Sequence, residues 1–259
     1  MLARTAAHYR MLSSIRNAKF DIARGGRTHA LRERLRNVLQ RSLPQCCVLC
    51  AAGSANAIVC DACRGDMPMI GEACPRCALP SSRSAVCGAC LSTPPPFDST
   101  FAAWRYAFPA DRLLQALKYG GRLALAEPLA QALAFAILER GLALPDRIVA
   151  MPLSKRRQRE RGFNHAHEIA RCAATYVDIP LCHDLRRMRD APPQAGLSKR
   201  ERVANVRGAF DAGAGVAGRA IAIVDDVMTT GATIEAAARA LKKAGAIRVD
   251  AWVVARTVR

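Results

Sequence analysis

Long apolar runs are missing from this sequence. No stretch approaches the roughly 20 apolar residues that a membrane-spanning helix needs, although hydrophobic residues make up 51% of the chain. Charges are scattered through the first residues where a secretory leader would need an apolar centre, so no export signal is expected and the expected compartment is the cytoplasm. Acids are scarce as well: 21 Asp and Glu stand against 39 Lys and Arg, a net charge of +18. The excess is uneven. Residues 1–45 carry ten basic against two acidic side chains, 46–150 nine against eight, 151–209 thirteen against six and 210–259 seven against five. Two basic segments therefore bracket a near-neutral middle, which points to nucleic acid or a polyanionic small ligand as partner. Aromatic residues are only 5% of the chain, which counts against a base-stacking platform for single strands in the main domain. Neither G-x-x-x-x-G-K-[ST] nor G-x-G-x-x-G occurs, so an NTPase loop and a dinucleotide fingerprint are excluded.

Cysteine, by contrast, is plentiful and regularly placed. Four C-x-x-C knuckles, Cys47/Cys50, Cys60/Cys63, Cys74/Cys77 and Cys87/Cys90, form a C-x2-C-x9-C-x2-C unit that recurs after 27 positions. Two residues between thiolates let both sulfurs close on one metal in a tight turn, and four thiolates make a closed tetrahedral zinc site. Two structural zinc ions are expected, with metal binding driving the folding of a module poor in apolar residues. The repeat favours sequential ribbons, while the spacing also admits an interleaved pairing, and Cys46 stands beside Cys47 as a substitute ligand. Without an export signal, disulfides are disfavoured. Known ferredoxin spacings differ from this one.

The stretch from Ala220 to Thr233, AIAIVDDVMTTGAT, organises the rest. Ala220 to Val224 has the composition of a strand buried on both faces. Asp225 and Asp226 follow, then a Thr229-Thr230-Gly231 turn, then apolar residues at helical spacing (Ile234, Ala237, Ala238, Leu241) closed by Gly245. Free N–H groups at such a helix start suit a phosphate, and carboxylates at the carboxyl end of a buried strand sit where ligands bind in open α/β sheets. Together they fit a sugar phosphate. A receiver-type acidic pocket needs a phosphoacceptor Asp further on, and Asp250 follows too closely. Upstream, Arg147 to Met151 is a second buried-strand candidate. The basic run after it (Lys155, Arg156, Arg157, Arg159 and Arg161) is expected as a loop suited to a multiply charged anion. A helix over Phe163–Tyr176 is expected next, with His165 and His167 near its start as surface or capping residues and Cys172 and Cys182 as core. Asp184 to Phe210, polar and carrying Pro192-Pro193, is expected as a long loop that closes over a site.

Ile221 to Thr233 resembles the PRPP-binding signature of type I phosphoribosyltransferases. The resemblance implies that Asp225 and Asp226 contact ribose hydroxyls, and that Thr229, Thr230, Gly231 and Thr233 cradle the 5′-phosphate. Taken with the double cysteine repeat, LKYGG (Leu117–Gly121), RERGFN (Arg159–Asn164) and PPQAGLSKRERVANVRGAF (Pro192–Phe210), the chain from about Ala30 onward is similar to the ComF family of competence proteins. One departure is His165, where that family often has Gln. The resemblance implies a PRTase-type α/β/α three-layer fold with a mainly parallel sheet behind a small double zinc-ribbon module. The expected organisation is a basic, disordered extension (1–29), an amphipathic helix (30–44), the zinc ribbons (45–92) and the phosphoribosyltransferase-like domain (97–259), with Pro94–Pro96 as a stiff connector. It implies PRPP binding with Mg²⁺, Asp225 and Asp226 as the catalytic acids, pyrophosphate held by Lys155 and Arg156, and a part in DNA uptake with single-stranded DNA and competence proteins as partners. Phosphoribosyl transfer is the reaction implied. A non-catalytic PRPP- or nucleotide-sensing scaffold and a salvage-type phosphoribosyltransferase stand as alternatives.

Overall fold

A computed structural model describes residues 45–54, 57–188 and 208–258. The expected basic extension and amphipathic helix, and most of the PPQAGLSKRERVANVRGAF motif, lie outside the described residues. The chain divides into two compact units, Met1–Met67 and Pro68–Arg259. The division falls inside the cysteine repeat, and the triple proline lies within the second unit.

In the first unit, strands β1 (Gln45–Cys46) and β2 (Gly53–Ser54) pair antiparallel, and a short helix α1 (Asp61–Gly65) follows Cys60. The second unit opens with the second cysteine set and helix α2 (Gly88–Ser92). Its centre is a five-stranded sheet of β3 (Ser99–Arg105), β4 (Arg147–Ala150), β5 (Leu181–Cys182), β8 (Ala220–Met228) and β9 (Arg248–Arg256), in the order β3-β9-β8-β4-β5. Every pairing in it is parallel, as the near-continuous apolar strands require. A separate antiparallel hairpin joins β6 (Leu185–Arg187) to β7 (Phe210–Ala212). The first of these strands lies in the segment expected to be loop, where alternation over three residues is too short to read.

Helices fill both faces. Helix α3 (Ala110–Gly120) precedes α4 (Ala126–Leu138), which packs on β3, β9 and α6 (His165–Val177). Helix α7 (Ala232–Lys243) covers the opposite face with Ile221, Ile223, Val249, Ala251 and Val253. The alternate residues of β9 point the other way, where Trp252 meets Phe101 edge-on at 6.4 Å. These are the three layers that the family resemblance implies.

The β3 edge is not left open. Thr100 N–H donates to Pro75 O at 2.9 Å and Arg105 N–H to Pro68 O at 2.7 Å, and Met69 bridges Trp104 antiparallel. Backbone from the second cysteine repeat thus satisfies an edge that would otherwise offer itself to another chain. Phe97, just past the prolines, is 2% exposed and belongs to the same core as α7.

Candidate functional site

The two cysteine sets are built alike. Cys47, Cys50, Cys60 and Cys63 bring their sulfurs together within 4.8 Å of one another, and Cys74, Cys77, Cys87 and Cys90 do the same. The pairing is therefore sequential. In each set the N–H of the third cysteine faces the sulfur of the first, Cys60 to Cys47 at 3.4 Å and Cys87 to Cys74 at 3.3 Å. In each, the second and third sulfurs are 3.7 Å apart. That separation is the edge of a tetrahedron whose centre lies about 2.3 Å from each corner, the zinc–sulfur distance. Burial pushes the Cys47 and Cys74 thiols up, but backbone N–H groups outweigh it and bring them to about 6 and about 7, which favours thiolates at these two, while burial and the neighbouring sulfurs push Cys63 and Cys90 up. The residues fit zinc. Cys46 is exposed and stands outside the four-sulfur group.

The acid pair lies where two neighbours of β8 part company. Strand β4 pairs with β8 only as far as Ala150 opposite Val224, whereas β9 continues to Arg256 opposite Met228. The strand therefore runs four residues past the expected end, because β9 supports it from one side. Beyond Val224 the β4 side is open. Crossovers from β4 and β8 lead in opposite directions, to β5 and to β9, so the opening is a topological switch point, the common ligand position of doubly wound sheets.

Asp225 and Asp226 bring carboxylate oxygens within 4.8 Å of one another there. Asp225 Oδ1 accepts from Asp226 N–H at 2.9 Å. Burial pushes its carboxyl up to about 6, against the pull of Lys118, Arg157, Arg187 and Arg161. Asp226, 5% exposed, accepts from Val227 N–H at 2.7 Å through Oδ1. Its Oδ2 forms an ion pair with Lys118 and lies 3.3 Å from His165 Nε2. Lys118 is brought in by α3, whose C-terminus turns at Gly121 with φ +62°; burial lowers its ammonium to about 8, Asp225 pulling it back up while Arg161 and Arg157 push it further down.

His165 is neither the surface nor the capping residue expected. It is 3% exposed, because Asn164 caps α6 by accepting from Ala166 and His167 N–H and ties the helix start to β4 by donating to Met151 O at 3.0 Å. Arg161 Nη1 lies 3.1 Å from His165 Nδ1. A guanidinium only donates, so Nδ1 accepts and the ring proton sits on Nε2, facing Asp226. Burial and the nearby cations hold the ring at about 3, so it stays neutral. Arg161 also lies over the exposed ring of Tyr119, 5.0 Å from its centroid.

The basic segment after β4 is a helix and not the expected loop. Helix α5 (Lys155–Arg161) starts on Ser154, whose Oγ accepts from Arg157 N–H at 3.2 Å, and ends at left-handed Gly162. With no apolar period, only its caps reveal it. Lys155 and Arg156 are exposed on its first turn, and Arg156 pairs with Glu160 at 3.5 Å. Arg157 and Arg161 are the members whose charges act on Asp225.

The turn that follows β8 is shaped by Gly231 at φ +89°, where a Cβ would lie 2.7 Å from Met228 Cε. Thr229 is exposed, and Thr230 and Thr233 are half-buried. No side chain caps α7 closely; Thr230 Oγ1 is 3.5 Å from Ala232 N. The first N–H groups of a twelve-residue helix are thus presented to a ligand. Behind the turn, Arg256 is 3% exposed. Its Nη1 donates to Met228 O at 2.8 Å and to Thr229 O, and its Nε donates to Cys77 O at 2.8 Å.

A parallel sheet with an acid pair and an uncapped helix start at its switch point, joined to four-sulfur knuckles, defines a zinc-bearing protein of phosphoribosyltransferase fold. Comparison with known proteins agrees. The phosphoribosyl transferase domain matches residues 160–257 and the double zinc ribbon domain residues 38–91. DNA utilization protein YhgH of Escherichia coli K12 is 35% identical over 173 residues, 65% of this chain and 76% of its own length. Competence protein F of Haemophilus influenzae is 31% identical over 64% of this chain and 76% of its own, and competence protein ComFC of Bacillus subtilis 39% identical over 42% and 44%. The chain belongs to the ComF family.

Proposed function

We propose that this chain binds PRPP with magnesium and acts in natural competence on the cytoplasmic side, where imported single-stranded DNA is handled. The observation that carries the ligand reading is the pairing, at one switch point, of the uncapped helix start at Gly231 with Asp225 under converging cations. The names of the relatives, DNA utilization and competence proteins, support the cellular role. No helix among the described residues is long and apolar enough to cross a membrane.

In this reading the T-T-G-x-T turn of Thr229, Thr230, Gly231 and Thr233 takes the 5′-phosphate, and the acid pair addresses the ribose, Asp225 being the member not paired with Lys118. Lys155 and Arg156, together with Arg157 and Arg161, face the pyrophosphate. Transfer to a base or amine passes through oxocarbenium-like charge, so these residues contribute by positioning and by a fixed electrostatic field. His165, Asp225 and Asp226 bring donor atoms within 4.8 Å of one another, but Lys118 already neutralises Asp226; a magnesium ion fits with Asp225 and the ligand's own oxygens. When bound, magnesium supplies charge neutralisation of the diphosphate.

Calorimetry tests the reading: Mg²⁺-dependent PRPP binding is expected for the wild type and none for Asp225→Asn/Asp226→Asn. Absence of binding to the wild type, or equal binding to the double variant, would refute it. A second reading, a non-catalytic PRPP-responsive scaffold, is favoured by Asp226 being already engaged by Lys118 and His165. Labelled PRPP incubated with a metabolite extract separates the two: pyrophosphate release supports transfer, and its absence with intact binding supports the scaffold.

A further inference from the structure

Among the described residues of the second unit, Lys118 is set apart by its place and its partner. It comes from α3, on the stripe that buries Leu114 and Leu117, and its side chain is only 17% exposed where it meets Asp226. Burying a lysine is costly unless its charge is used. Asp226 is already engaged: Val227 N–H donates to Oδ1, Lys118 pairs with Oδ2, and His165 Nε2 lies 3.3 Å from it. Asp225 is differently placed, with Oδ1 taken by Asp226 N–H and charges from three separate elements, Lys118 on α3, Arg157 and Arg161 on α5 and Arg187 on β6, bearing on it. Four cations against two carboxylates leave an excess suited to a polyanion. An ammonium carries three N–H donors, so contact with one carboxylate leaves donors for a phosphate, which lysine meets as a point charge.

We infer that Lys118 is a ligand-contacting residue, its ammonium held by Asp226 so as to bind the diphosphate of the phosphoribosyl ligand, with Asp225 alone serving the ribose. The inference rests on the PRPP reading. Under it the adjacent acids have separate tasks: Asp225 meets the sugar, and Asp226 is a positioning residue that acts through Lys118. His165, neutral and anchored by Arg161, fixes the orientation of Asp226. The Gln common at this position in the family also carries an N–H donor, so His165→Gln is expected to preserve the arrangement and His165→Leu to weaken it.

The test compares two ligands on the full chain, Mg-PRPP and ribose 5-phosphate, which lacks the diphosphate. A charge-assisted hydrogen bond lost from a binding site lowers affinity about 10- to 100-fold. Lys118→Met is expected to lose about that much for PRPP while its affinity for ribose 5-phosphate stays within about twofold of wild type. Lys118→Arg, which keeps a cation at the site, is expected to retain most of the preference for PRPP and serves as the test should Lys118→Met fail to fold. Wild-type PRPP affinity in Lys118→Met overturns the inference. So does a parallel loss of both ligands, which marks Lys118 as a support for Asp226 alone. A wild-type chain that binds neither ligand overturns the PRPP reading itself, and the Lys118 assignment with it.

Discussion

Two aspartates one residue apart are opposed in their energetics. Asp225 has its carboxyl raised to about 6 by burial, so the folded state holds its proton more tightly than the unfolded chain does. Stability linked to this group is present below the unfolded value of 3.8 and is lost as pH rises through about 6. Asp225→Asn is therefore expected to raise Tm by a few degrees near neutral pH and to leave it unchanged in acid, while removing ligand binding. Asp226→Asn is expected to lower Tm near neutral pH. It strands Lys118 without its counter-ion, at a cost of about 2 kcal/mol, less than the ~3–5 of a fully buried pair because the lysine keeps some contact with water. Thermal melts of the two variants across pH check both signs. Lys118 left a trace in the sequence, since a lysine four residues after Leu114 falls on an apolar stripe. His165 left none, because its burial follows from the cap at Asn164 and the tie to Met151.

Among the elements, β8 and α7 were the most legible. Apolar residues of period 1 followed by period 3.6, with acids and a T-T-G turn between, define both elements. The extra four residues of β8 were not legible, because they depend on β9 outlasting β4 along its sides. Helix α5 escaped notice for a different reason: seven charged or polar residues carry no periodicity, and Ser154 and Gly162 decide the outcome. The glycine between β8 and α7 makes the sharpest element-scale prediction. Gly231→Ala meets both a left-handed backbone and Met228 Cε at 2.7 Å. It is expected to cost about 1–3 kcal/mol in stability and to weaken PRPP and ribose 5-phosphate together, as a damaged 5′-phosphate turn requires. Calorimetry with both ligands reads this out.

At the scale of the whole molecule, the repeat that looks uniform in sequence is divided between two compact units. Metal analysis of freshly purified, reduced protein is expected to find two zinc ions per chain, one for each four-sulfur group; finding one or none would contradict the tandem pairing. The second set has a further connection, since Cys77 O and the Met228–Thr229 carbonyls share Arg256. Cys90→Ser and Arg256→Met are both expected to weaken PRPP binding, the latter with zinc content unchanged, as binding and metal assays on the same samples would show. The sealed β3 edge carries a practical lesson for dissecting the protein. A fragment cut at the prolines, starting at residue 97, would strip partners from Thr100, Arg105 and Arg256 at once and expose a raw strand edge to aggregation. A fragment starting at Pro68 keeps all three. The shortest piece that can stand alone as the body of phosphoribosyltransferase fold therefore carries half of the zinc module with it.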